Sequence, residues 1–167
     1  MRLFSVLAAT LAVWAPAACA QSIRVSGWAI DRSVDPITDT VTATAVAPES
    51  PQGRRNSLSM TVSCIGDSVA IAVAHRMLPS RTGNRVLFTY RFDDELPVGP
   101  LSVQLRGDRR ATLPFLNTPD RARPFLAVAS RARQVVLRVV DPVNSAAITT
   151  TVPLAGFARV VEALGCQ

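Results

Sequence analysis

The chain has 167 residues, 49% of them hydrophobic and 5% aromatic, with 18 basic against 12 acidic side chains and a formal charge of +6. That composition excludes a disordered chain and allows one ordinary hydrophobic core, built from Val, Leu, Ile and Ala more than from aromatics. All 18 basic residues are arginine, which reads either as codon bias in a high-GC genome or as a preference for fixed, bidentate anion contacts, which Arg supplies and Lys does not.

Met1-Arg2 places a positive charge ahead of an apolar run from Leu3 to Val13. Ala18-Cys19-Ala20 then supplies the small residues that a signal peptidase reads before Gln21. This is the pattern of a secretory signal peptide over residues 1–20, cleaved near Ala20. The apolar run is shorter than the roughly 20 residues of a membrane span. Lipidation at Cys19 is the less favoured alternative, because Pro16 stands where a lipoprotein signal carries Leu. Cleavage leaves residues 21–167 as a single β-rich exported domain, periplasmic or secreted.

Period-two alternation then predicts strands. Ile23 to Ile30 reads as a first strand carrying Trp28. Arg32 to Thr38 reads as a turn-rich link, Thr40 to Val46 as a strand, and Pro48 to Asn56 as a polar loop. From Leu58 to Cys64 the apolar side chains face one way and Ser57, Ser59, Thr61 and Ser63 the other. A tight turn at Ile65–Ser68 leads into Val69, Ile71 and Val73, which makes a hairpin. A loop spans Arg76 to Asn84. Val86, Phe88, Tyr90 and Phe92 line one face of the next strand, closed by Asp93-Asp94-Glu95. Shorter strands follow at Leu101–Leu105 and Ala111–Phe115, separated by a basic turn.

Phe125, Val128, Ala129 and Ala132 have helical spacing in a segment predicted to start after Pro124. Val135 to Val140 is a strand, residues 141–145 a turn, and Ala147 to Pro153 another strand. Phe157, Val160, Val161 and Leu164 mark one face of a terminal helix that ends at Gly165. The fold class predicted is mainly β with minor α: an antiparallel β-sandwich or barrel-like sheet with a C-terminal helix packed on it. Removal of Cys19 leaves Cys64 and Cys166, which in an oxidising compartment read as one disulfide between strand and terminal helix.

Several of these segments resemble an exported family associated with type VI secretion clusters, known as TagO or VasI. Trp28, Asp35, Asp39 and Val41 are similar to its opening Trp, Asp-containing turn and strand. Leu58 to Cys64 is similar to its Leu-x-x-x-x-Cys strand end, and Tyr90-Arg91-Phe92-Asp93 to its Tyr-Arg-x-Asp stretch. Leu154-Ala155-Gly156-Phe157 and Cys166 are similar to its Leu-x-Gly-aliphatic helix start and final Cys. The resemblance implies an accessory protein of a secretion apparatus and supplies no molecular activity.

No catalytic set stands out. His75 is the single histidine, in Val73-Ala74-His75-Arg76, with no Gly-x-Ser-x-Gly elbow in the chain. Asp31, Asp35 and Asp39 are interrupted by Pro36 and lack calcium-loop spacing. One histidine and two disulfide candidates leave no zinc set. No cofactor and no metal are expected.

The candidate anion-binding residues are Arg106, Arg109, Arg110, Arg121, Arg123, Arg131 and Arg133, which make a patch if they share a face and ordinary surface charge if they scatter. Export removes nucleic acid as a partner and leaves an envelope protein or an anionic envelope component. The reading is a non-enzymatic binding or structural protein of the envelope. Its rivals are an envelope-directed hydrolase using His75 with Asp93 or Asp94, and an inhibitor of a foreign hydrolase acting through the loop at residues 48–56.

Overall fold

The computed structural model describes residues 21–48, 58–66, 68–75, 85–104, 111–116 and 119–165. Within the described residues, ten strands form two antiparallel sheets. The six-stranded sheet holds β1 (Gln21–Val25), β2 (Trp28–Val34), β3 (Val41–Val46), β4 (Ser59–Ile65), β5 (Ser68–His75) and β8 (Ala111–Leu116), in the order β1-β2-β3-β4-β5-β8. The four-stranded sheet holds β6 (Arg85–Phe92), β7 (Val98–Gln104), β9 (Gln134–Val140) and β10 (Ala147–Pro153), in the order β10-β9-β6-β7. Helix α1 (Pro119–Ala129) joins β8 to β9, and α2 (Phe157–Leu164) follows β10. Mainly-β architecture with a C-terminal helix packed on it is therefore what the chain adopts.

Strand alternation sets the core. Trp28, Ile30, Ala43, Ala45, Met60, Val62, Cys64, Val69, Ile71 and Val73 are buried on one face of the six-stranded sheet. The other face carries small polar side chains, with Thr44 and Ser63 hydrogen-bonded across β3 and β4 at 3.2 Å. The four-stranded sheet buries Val86, Phe88, Phe92, Val135, Leu137, Val139 and Val152.

Buried Thr150 ties the two sheets together: its Oγ1 accepts the backbone N–H of buried Leu58 at 2.8 Å. Phe125 of α1 meets Tyr90 and Phe92 with ring centroids 5.3 and 4.9 Å away. Burial in this aromatic cluster pushes the Tyr90 phenol above its usual 10.0.

The expected single strand from Ile23 to Ile30 is instead a hairpin. Ser26 and Gly27 both have positive φ, 50° and 84°, and Val25 pairs directly with Trp28. That is a two-residue turn whose backbone matches strand twist. The β2 strand also runs on to Val34, into the segment expected as a link.

Helix α1 begins at Pro119, six residues before the start expected at Phe125. Pro119 opens it, where a missing N–H costs nothing, and Asp120 favours its positive end. Pro124 sits inside the helix. The buried residues are Ala122, Phe125, Leu126 and Ala129, while Val128 is exposed.

Helix α2 seats on β1, β2 and β3. Phe157, Val160 and Leu164 are its buried residues, and Phe157 meets Trp28 with centroids 4.9 Å apart. Gly156 caps its start at φ 74° against the β1–β2 turn; a Cβ there would overlap Ser26 Oγ. At its end Arg32 Nη2 donates to the Ala163 carbonyl at 2.8 Å, a favourable place for a cation near a helix C-terminus.

Two substitutions test this packing. Thr150→Val keeps the volume but strands the buried Leu58 N–H, so unfolding free energy should fall by about 1–3 kcal/mol in urea titrations; an unchanged midpoint would contradict the link. Gly156→Ala should cost more than the roughly 1–2 kcal/mol of a left-handed alanine, because the methyl also meets Ser26. Adding Ser26→Gly should then recover the excess, measured as a double-mutant coupling.

Candidate functional site

Arg106, Arg109 and Arg110 lie outside the described residues, as do Cys166 and most of the loop at residues 48–56. Arg121 and Arg123 are exposed on α1 and flank buried Ala122. Two helical steps turn the chain by roughly 200°, so these two side chains diverge. Arg131 and Arg133 are exposed in the turn after α1. Cys64 is buried near the end of β4. His75 closes β5 opposite Ala111, and its side chain lies outside the described residues.

Two of the acidic candidates, Asp35 and Asp93, act on the backbone. Asp35 Oδ1 accepts the N–H groups of Ile37 and Thr38 at 2.8 and 3.0 Å, which shapes the turn between β2 and β3. These two bonds, Ile37 first, hold its carboxyl below the usual 3.8. Asp93 accepts the N–H groups of Arg133 and Gln134 at 3.0–3.1 Å and so fixes the entry of β9 beside the end of β6. Among the described residues, no group of three His, Cys, Asp or Glu side chains is arranged to hold a metal ion.

Pairing in the four-stranded sheet assembles a different constellation. Thr89 of β6, Arg138 of β9 and Thr149 of β10 stand side by side in one cross-strand row. Leu87 and Val140 occupy the adjacent row, and Arg91 and Val136 the row on the other side. All point away from the core, since their neighbours along each strand are the inward-facing residues.

These side chains line an open cavity of about 430 Å³ that also takes in Pro97 and Pro100. Its wall is made by a bulge: Phe88 pairs with Leu101 and Tyr90 with Val98, so Thr89 alone faces Gly99 and Pro100. A Cβ at residue 99 would lie 2.7 Å from the Phe88 carbonyl oxygen and 3.2 Å from Thr89 Oγ1, so only glycine lets the two strands approach this closely. Proline is tolerated here because β7 is an edge strand.

Leu87, Val136 and Val140 are half-buried, whereas Arg91 and Arg138 are exposed and have no ion-pair partner among the described residues. The sequence signal for this face was the outward set of two strands, reading Leu-Thr-Arg and Val-Arg-Val where a solvated face would be uniformly polar. What joins them is the pairing of β6 with β9.

No family model, curated protein or solved structure matches the chain.

The Asp35 turn gives a pH test. Its folded pKa lies below the unfolded value, so its contribution is present above about pH 4 and is lost as pH falls through the depressed folded value. The Asp35 carboxyl resonance should titrate with a midpoint below 3.8. A midpoint at or above that value would contradict the two backbone bonds.

Proposed function

We propose that this chain is a disulfide-stapled protein of the bacterial envelope, exported by residues 1–20, that acts by binding or scaffolding as an accessory of a type VI secretion apparatus. The observation that carries the exported, stapled part is the setting of Cys64. It is 4% exposed and disulfide-bonded. Structural disulfides belong to oxidising compartments.

The partner in this reading is Cys166, because Cys19 leaves with the signal peptide. Placement supports it. Arg32, Ala43 and Cys64 share one cross-strand row. Arg32 reaches from that row to the last turn of α2, and its guanidinium lies 3.3 Å from where a Cβ on Gly165 would be. Cys166 is the next residue in the chain. The staple closes a loop of about 100 residues, for which chain entropy gives about 4–5 kcal/mol.

Among the described residues, no helix is long and apolar enough to cross a membrane. The secretion-apparatus part rests on the motif resemblance alone. The rival hydrolase loses one carboxylate, since Asp93 is committed to the backbone of Arg133 and Gln134.

Expression of the full chain in a Gram-negative host tests the reading. The periplasmic product should begin at Gln21, weigh two hydrogens less than its reduced form, and give one peptide linking Cys64 to Cys166. Reduction should lower stability by several kcal/mol. An acylated N-terminal Cys19, cytoplasmic retention, or a free thiol at Cys64 would overturn it.

A further inference from the structure

We infer that the outer face of the four-stranded sheet is a binding site for an amphipathic anion, meaning an anionic headgroup on a short apolar chain. This gives the binding reading a site and rests on it; it does not depend on export or on any secretion apparatus.

Two features of this face are hard to explain together without a ligand. The first is charge. Arg138 stands centrally, flanked by Thr89 and Thr149 in its own row and by Arg91 diagonally in the next. Both guanidiniums lack an ion-pair partner among the described residues, although Asp94 and Glu95 lie in the neighbouring β6–β7 turn. Two planar donors and two hydroxyls lining one open cavity suit a carboxylate or phosphate, which a guanidinium grips through parallel bonds.

The second feature is the apolar floor. Leu87, Val136 and Val140 line a concavity of about 430 Å³, walled by Pro97 and Pro100. That volume falls within the roughly 300–1,000 Å³ of small-molecule sites. A solvated outer face needs no such concavity, and a bare anion would leave this floor wet. A ligand with both a charged head and an apolar chain satisfies the two halves at once, the head on the Arg138 row and the chain along Leu87 and Val140.

Amide chemical-shift titration of the oxidised full-length mature chain (residues 21–167) with octyl phosphate, kept below its micelle concentration, tests this. Shifts should cluster at residues 87–91, 136–140 and 149. Inorganic phosphate and octyl glucoside, each carrying half of the chemistry, should both bind at least about tenfold more weakly. R138Q should weaken octyl phosphate binding by about tenfold, the effect of losing one charge-assisted contact, and R91Q should weaken it less, both with unchanged melting temperature.

Sedimentation with anionic phospholipid vesicles separates the sources. Binding lost in R138Q identifies a lipid surface, and binding to octyl phosphate alone identifies a free amphiphile; either supports the site. Equal affinity for octyl glucoside or for inorganic phosphate overturns it, as does self-association of the chain through this face that R138Q abolishes. Tight binding with shifts elsewhere overturns the site while leaving the binding reading intact. Absence of binding to all the probes overturns the site.

Discussion

The structure depends on the seat of helix α2 against the β1–β2 hairpin. Ser26 and Gly27 turn the chain so that Trp28 enters the core directly beneath Phe157. Gly156 lets the helix begin in contact with Ser26, and Arg32 closes its far end on the Ala163 carbonyl. Without that seat the buried face of β1–β3 would be open to water. The seat has a cost: the Trp28 indole N–H is buried with no hydrogen-bond partner among the described residues, a burden of about 1–3 kcal/mol that apolar burial and ring packing must offset. Cys64 lies two strands from Arg32 in the same row, so a staple to Cys166 would lock the same contact from its open end.

The second sheet is held by a different set of contacts. Thr150 reaches Leu58, Phe125 wedges α1 against the aromatic strand, and Asp93 pins the start of β9 to the end of β6. Each acts on the inner face or at a strand end, so the outer face of β6, β9 and β10 bears none of these restraints. This is the face that carries Arg91 and Arg138 over apolar residues. Stability and the proposed binding thus occupy opposite sides of one sheet, which is why substitution of an outer arginine is expected to change affinity without changing the fold.

Much of the architecture was legible because short-range patterns decide it. The alternation from Leu58 to Cys64, the aromatic face of β6, the Thr-rich β10 and the apolar stripe of α2 all appear where period and turn chemistry place them. The hairpin at Ser26-Gly27 was hidden because apolar residues run through it, although Ser-Gly is itself a turn signal. The start of α1 was displaced because Pro124 reads as a helix opener while Pro119 holds that role. The cavity was illegible for a simpler reason. Thr89 lies far along the chain from the β9–β10 hairpin that carries Arg138 and Thr149, and only the pairing of β6 with β9 brings the three into a row. The clustered arginines drew attention because they are neighbours in sequence, yet Arg121 and Arg123 diverge on their helix.

The central claim is that α2 is locked on the β1–β3 face by the hairpin turn and by Arg32, and in the proposed reading also by a Cys64–Cys166 staple. Native-state hydrogen exchange of the oxidised and reduced protein tests it most directly. On reduction, protection should fall at residues 157–165 and along β1 and β2, while the amides of β6 and β9 keep theirs. Equal protection of α2 in both forms, or a uniform loss across both sheets, would contradict it.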